Sequence, residues 1–378
     1  MIYRNFCVGN EKISLLGMGC MRLPGGSPEN RDLIDMAETA KMIDYAYNNG
    51  VNYFDTGFAY HGGNSEKALG EILKKYPRES FYIADKFPVW HAEKKEDVEK
   101  IFNTQLERLQ VDYIDFYLMH GIRSSMMDKV RELEIYDFMK QKQAEGKIKY
   151  IGFSFHDTPE ALQDIINTYE FQFAQIQYNY FDYYLQHSKE QYEILEKAGL
   201  PTIIMEPVRG GFLASVNENT KAFMENEHPD WSVASWAIRY AAAPKNILCV
   251  LSGMTTMEQL KDNISVFKKE IELTEKDYEI YKLAYENILK LDIVPCTQCR
   301  YCMDCPAGVD IPTVLHLHND YIMANSMVPY RNAYNALEKE KRASSCVGCK
   351  ACEELCPQKI NISEQMDKIN TFWKGRSW

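Results

Sequence analysis

Eight short apolar runs recur through the first two thirds of the chain: "ISLLGMGC", "VNYFD", "FYIADK", "YIDFYLMH", "KYIGFS", "FAQIQYN", "PTIIME" and "NILCVLSG". Between them lie amphipathic stretches such as "DMAETAKMIDYAYNNG", which stops at Gly50, "SEKALGEILKKY" and "KEDVEKIFNTQLERL". Strand-length runs alternating with helix-length ones imply parallel strands joined by helical crossovers. Eight such units in about 270 residues fit a closed (β/α)8 barrel, the TIM-barrel form of α/β protein, better than an open doubly wound sheet. A dinucleotide-binding open sheet would carry G-x-G-x-x-G after its first strand, and "GMGCMR" does not supply it.

After "IELTEKDYEIYKLAYENILKL" the texture changes. Residues 1–291 read as the barrel and 292–378 as a small, mainly helical, cysteine-rich domain. Eight of the 11 cysteines stand in that tail; Cys7, Cys20 and Cys249 are scattered and read as small buried residues. Clustered cysteines in a reducing compartment are metal ligands rather than disulfides. The formal net charge of -11 and the lack of a basic run argue against a nucleic-acid partner. No apolar run is long enough to span a membrane, and "MIYRNFCVGNEKIS" lacks the apolar core of a signal peptide, so a cytoplasmic protein with no membrane partner is expected.

In a barrel of this kind the chemistry lies where strands run into the following loops. Asp55 ends the second run, Lys86 the third and His120 the fourth; Ser154, Gln177, Glu206 and Ser252 end the next four, and Tyr60 follows Asp55 closely. An isolated polar residue at a strand end is usually structural. Carboxylate, phenol, ammonium and imidazole on successive units are an acid/base set. A phenol titrates near pH 10, and a neighbouring ammonium is expected to lower that value while the carboxylate holds the ammonium in place.

The segments "YFDTGFAYHGGNSEKALGEIL", "IADKF" and "FYLMH" resemble the aldo/keto reductases over residues 1 to about 290. The resemblance implies this barrel, a nicotinamide cofactor (NADPH or NADH) and a small aldehyde or ketone as substrate. It implies a catalytic tetrad of Asp55, Tyr60, Lys86 and His120, with Tyr60 as proton donor, Lys86 and Asp55 tuning it and His120 orienting the substrate. It further places Gly19, Cys20 and Met21 beside the cofactor and Ser154 and Gln177 at its carboxamide. Met205 stands where many members have a ring-stacking tyrosine, and Phe155 where many have asparagine. "LSGMTTMEQLKDN" sets Gly253, Met254, Thr255, Gln259 and Asn263 at the adenosine half; read without the resemblance it is a plain loop and helix start. NADP-preferring members often carry a basic residue at the positions of Gly253 and Gln259, since a 2′-phosphate needs positive charge. Here the choice between NADP and NAD stays open, with Arg209 as a candidate replacement.

The tail holds C-x2-C-x2-C-x2-C-P at Cys296, Cys299, Cys302 and Cys305, and C-x2-C-x2-C-x3-C-P at Cys346, Cys349, Cys352 and Cys356. The second run matches bacterial ferredoxins with two 4Fe-4S clusters, where three cysteines hold one cluster and the fourth reaches the other. That resemblance implies Cys296, Cys299, Cys302 and Cys356 around one cluster and Cys346, Cys349, Cys352 and Cys305 around the other; the first motif is one residue short before its last cysteine. Structural zinc is the alternative, but it uses two separated pairs and has no need of a third cysteine at the same interval. The whole chain is similar to an aldo/keto reductase subgroup with an appended ferredoxin-like domain. Hydride transfer moves two electrons and a cubane one, so the tail reads as an electron port to a ferredoxin-type partner, a structural staple or a docking surface. The competing reading is an iron–sulfur electron-transfer protein whose barrel is a nucleotide-binding or docking module. Phe58, Trp90, Tyr180 and Phe181 suggest either an aromatic substrate pocket or ordinary packing.

Overall fold

The computed structural model describes residues 1–26, 32–303, 305–324 and 328–374. A short antiparallel hairpin comes first, β1 (Tyr3–Asn5) and β2 (Lys12–Ser14). Eight strands follow: β3 (Leu16–Gly19), β4 (Tyr53–Asp55), β5 (Tyr82–Phe87), β6 (Ile114–Ile122), β7 (Ile148–Phe155), β8 (Phe173–Gln177), β9 (Thr202–Met205) and β10 (Ile247–Ser252). They form a closed barrel in chain order, sealed where β10 pairs with β3 through Val250–Leu16, Leu251–Gly17 and Ser252–Met18. Neighbours are parallel all round, as the helical crossovers require.

The run "ISLLGMGC", read as one strand, is divided between β2 and β3. Ser14 turns the corner: its hydroxyl donates to Leu16 O at 2.7 Å, while Leu15 N donates to Ile2 O at 2.9 Å. The hairpin thereby carries Phe6 to the start of the barrel strands, where its ring meets Phe116 at 5.3 Å and Tyr150 at 4.7 Å. Phe6 and Ile13 join Tyr53, Phe116 and Phe173 in one buried cluster and close that end. The closed end is the one where strands begin, which leaves the opposite mouth for chemistry.

The chain divides into two compact units, Met1–Pro207 with Ala237–Leu273, and Val208–Trp236 with Thr274–Trp378. The second unit has its own core of Val309, Val314, Leu315, Ile362, Met366, Ile369 and Trp373, the last stacked on Tyr334 at 4.7 Å. Residues 208–236 belong to it through Tyr281 Oη donating to Trp236 O at 2.8 Å and Arg209 donating to Gln358 Oε1 at 2.8 Å. Among the described residues, no helix is long and apolar enough to cross a membrane.

Candidate active site and cysteine cavity

Side chains along a strand alternate between faces, so every second residue of a barrel strand points inward. On β4 the inward set is Tyr53 and Asp55; on β5, Ala84 and Lys86; on β6, Phe116, Leu118 and His120; on β7, Gly152 and Ser154; on β8, Phe173, Gln175 and Gln177. The early members of each set are packed in the apolar cluster at the closed end. The same register therefore carries Asp55, Lys86, His120, Ser154 and Gln177 to the far end of one interior.

There Lys86 Nζ donates to Asp55 Oδ1 and to Thr56 O, both at 2.5 Å. The ammonium lies 5.0 Å from the centre of the Tyr60 ring. His120 meets Tyr60 edge to face at 5.7 Å, and Trp90 at 4.9 Å. Asp55, Lys86 and His120 are buried and Tyr60 is partly exposed. Burial raises the Asp55 carboxyl above its usual range, with Lys86 pulling the other way. Burial also raises the Tyr60 phenol well above its usual value, reinforced by Asp55 and opposed by Arg22. This differs from the lowering expected from the sequence, because burial of the phenol and the carboxylates around it outweigh the nearby cations. His120 is held well below the usual imidazole range by burial and by the nearby cation Lys86, so it is a neutral ring at pH 7. A protonated phenol beside a neutral imidazole is a proton donor with a hydrogen-bonding neighbour. It needs no lowered acidity to protonate a forming alkoxide, which is the stronger base.

Behind Lys86 lies a buried network that the pattern of strand ends did not reveal. Asp85 Oδ1 accepts from the backbone N of Lys86 at 2.8 Å. Gln105 Nε2 donates to Asp85 Oδ2 at 2.8 Å and to Lys86 O at 3.1 Å, and Tyr117 donates to Gln105 Oε1 at 2.5 Å. Arg108 donates to Glu66 Oε2 at 2.7 Å. Burial raises both carboxyls, and Asp85 is raised further by Glu66. The available signal was Glu66 sharing the inward face of helix Asn64–Leu73 with Leu69 and Leu73.

The cofactor candidates spread over the same mouth. A Cβ on Gly19 would lie 3.4 Å from Ser252 O, an ordinary contact, so Gly19 packs beside the end of β10. Cys20 is buried, Met21 and Met205 are partly exposed, and Met254 is buried. Ser154 Oγ accepts from Gly121 N at 2.8 Å, and Gln177 donates to Asp182 Oδ2 at 2.6 Å. Thr255 Oγ1 donates to Arg22 O at 3.0 Å, and Asn263 donates to Ser252 Oγ at 2.7 Å. Gln259 and Thr256 form a capping box that starts helix Met257–Val266. Arg209 is fully buried on Gln358 in the second unit. Arg22, which sequence reasoning passed over, is placed beside Gly253 and pairs with Glu206 at 3.5 Å. Among the aromatic candidates, Tyr180 and Phe181 are buried in packing, whereas Phe58 and Trp90 adjoin His91.

The two cysteine motifs share a backbone. Gln298 and Arg300 in the first have φ of 56° and 66°, and Gly348 and Lys350, at the matching places in the second, have 70° and 63°. Three residues beyond each last cysteine the left-handed turn recurs, at Gly308 with 77° and Lys359 with 50°. Such turns coil three thiols around one point. Cys296, Cys299, Cys302 and Cys356 line one cavity with Leu315, Pro357, Ile360 and Ile362. Burial raises the Cys302 thiol, and Cys299, Cys296, Cys356 and Cys352 all lie near enough to raise it further, while Cys352 is raised by burial and by Cys305 and Cys346. A four-thiol cavity with apolar walls, fed by three residues of one run and one of the other, fits a cubane cluster. Of the scattered cysteines, Cys20 and Cys249 are buried, but Cys7 is exposed, because it lies in the turn of the hairpin.

Comparison with known proteins bears on both units. The family model for the aldo/keto reductase family matches residues 15–286, and that for a 4Fe-4S dicluster domain matches residues 295–361. The chain is 26% identical over 283 residues to the uncharacterized oxidoreductase YqkF of Bacillus subtilis strain 168, covering 67% of this chain and 86% of that one. It is 23% identical over 308 residues to the NADH-specific methylglyoxal reductase of Escherichia coli K12, covering 70% and 92%. Among solved structures, aldo-keto reductase AKR11C1 from Bacillus halodurans in its holo form superposes with a TM-score of 0.63 at 24% identity, over 75% of this chain and 96% of that one, a likeness of fold. The chain belongs to the aldo/keto reductase family of oxidoreductases and carries a 4Fe-4S dicluster domain after its barrel.

Proposed function

We propose that this chain reduces an aldehyde or ketone with NADH or NADPH, with Tyr60 as the proton donor. The observation that carries the reading is the contact of Lys86 Nζ with Asp55 Oδ1 at 2.5 Å, with the ammonium 5.0 Å from the centre of the Tyr60 ring and His120 edge to face with that ring at 5.7 Å. A bound nicotinamide supplies hydride to the carbonyl carbon. Tyr60 gives its phenolic proton to the carbonyl oxygen, and the Lys86 ammonium then stabilises the phenolate left behind. Neutral His120 hydrogen-bonds the same oxygen and sets the approach of the substrate, with Trp90 and Phe58 flanking it. Ser154 and Gln177 would hold the carboxamide, and Gly19, Cys20, Met21 and Met205 would line the ring and its ribose. Gly253, Met254, Thr255, Gln259 and Asn263 would take the adenosine half, with Arg22 beside Gly253 as a cation for it. That a relative is named for NADH and methylglyoxal supports both the cofactor class and a small carbonyl substrate.

In the tail, Cys296, Cys299, Cys302 and Cys356 would hold one 4Fe-4S cluster and Cys346, Cys349, Cys352 and Cys305 the second. Such clusters supply electrons singly, which supports a ferredoxin-type partner for this domain. The deciding experiment for the barrel is Tyr60→Phe. Turnover of an aldehyde panel should fall by about 10²–10⁴-fold while NADPH and NADH bind as before. Undiminished turnover overturns the assignment of Tyr60.

A further inference from the structure

Cys296 lines two cavities. One is the four-thiol space described above; the other, in the same compact unit, is an open-sided cavity of about 790 Å³. That volume is within the usual range for small-molecule sites, about 300–1,000 Å³. One wall comes from the 3₁₀ segment Arg209–Ala214, which presents Phe212; the other comes from helix Ile311–Ala324.

The polar groups on this wall form a continuous string. Gln298 N donates to Cys296 Sγ at 3.3 Å. The Gln298 side-chain amide is 3.1 Å from His316 Nδ1, and His316 Nε2 is 3.2 Å from Asp320 Oδ2 one turn further on. Asn319 is fixed on the main chain of Val294, donating to its O at 2.7 Å and accepting from its N at 2.8 Å, so the helix face keeps its register with the cysteine motif. Burial raises the Asp320 carboxyl, and the neighbouring His316 opposes that rise. A thiol assigned to iron and an imidazole–carboxyl pair that can carry a proton thus border one ring-sized space.

We propose that this cavity binds a planar, reducible ring of the flavin or quinone class, with Phe212 against its face and His316–Asp320 as its proton source. Such rings accept electrons one or two at a time, the property that one-electron clusters and a two-electron hydride donor both require of an intermediary. The ring takes up two electrons and two protons to become its dihydro form. His316 and Asp320 pass the protons in from water, and a ferredoxin-class reductant is the electron source. The inference rests on Cys296 being a cluster ligand, and the test separates the two.

The full chain is purified anaerobically, and its iron content and visible spectrum are recorded first; absence of iron overturns the cluster reading itself. With clusters intact, calorimetric titration with riboflavin and, separately, with menadione should give saturable binding of at least one. Riboflavin alone identifies a flavin site, and menadione alone a quinone site. Ser215→Trp, at an exposed lining position, should fill the space and weaken binding by about tenfold or more, with iron content and barrel turnover unchanged. His316→Ala should keep binding but shift the pH profile of ring reduction. Saturation by neither probe with clusters present, or binding indifferent to Ser215→Trp, overturns the proposal.

Discussion

A buried ion pair stabilises a fold little in itself, because two charges leave water to meet each other. Lys86 and Asp55 form such a pair close to the Tyr60 ring, and the proposed role of Tyr60 as proton donor would give that cost a use. His120 makes a measurable statement about the same environment. Its folded value lies well below the ordinary one of about 6.5. Below that pH the unfolded chain takes up a proton that the native site refuses, so the contribution of neutral His120 is complete above pH 6.5 and is lost as pH falls. Replacing it by glutamine removes this dependence. Between pH 7 and pH 5 the native protein should lose stability faster than His120→Gln, by up to about 1.4 kcal/mol per pH unit, in parallel urea titrations. Identical slopes would place a charged imidazole in the native site.

At the scale of the element, β7 shows how a barrel strand is fitted to its neighbour. Gly152 is on the inward face, and a Cβ there would meet the Phe173 ring at 2.5 Å. The aromatic ring fills the interior at this level, and glycine is what its neighbour must be. Gly152→Ala should destabilise the barrel by about 1–3 kcal/mol through overpacking, read as a lower urea midpoint with an unchanged slope. Phe173→Leu in the same chain should restore part of the loss; if it adds to it, the contact is not the cause. The helices contribute more modestly. Thr158 caps Pro159–Thr168 with proline at its first turn, and Thr256 with Gln259 caps Met257–Val266. That capping box explains Gln259 without a nucleotide, so its place among the adenosine contacts is the part of the proposed cofactor site most in need of its own binding measurement.

At the scale of the whole molecule, the tail is too small to rely on apolar packing alone, and its core of Val309, Val314, Ile362 and Trp373 surrounds the cysteines rather than standing apart from them. The crossed arrangement of thiols makes a specific spectroscopic expectation. Cys356→Ala should abolish the same paramagnetic signal as Cys299→Ala, although the two lie in different motifs, and Cys305→Ala should abolish the signal lost in Cys349→Ala. Pairing within each motif would instead couple Cys356 with Cys349. The repeated left-handed turns at Gln298 and Arg300, and at Gly348 and Lys350, are the physical reason to expect two like clusters.

The eightfold rhythm of apolar runs was enough to give the barrel, since parallel strands joined by helices have few ways to bury both faces of a sheet. Period-two alternation then dictated that Asp55, Lys86 and His120 share one interior, and the spacing of eight cysteines announced iron. Those are consequences of local sequence. Four things were not local. Burial around Tyr60, with Asp55 nearby, makes the phenol a weaker acid instead of a stronger one. Burial raises the Asp85 carboxyl, and Glu66, distant in sequence, raises it further behind the lysine. Arg209, a candidate for a cofactor phosphate in the sequence, is buried on Gln358 instead. Residues 208–236 take their packing from the second unit. Each depends on which charged or polar group finds which partner once water is excluded, and that is a property of three-dimensional neighbours that no stretch of chain carries by itself.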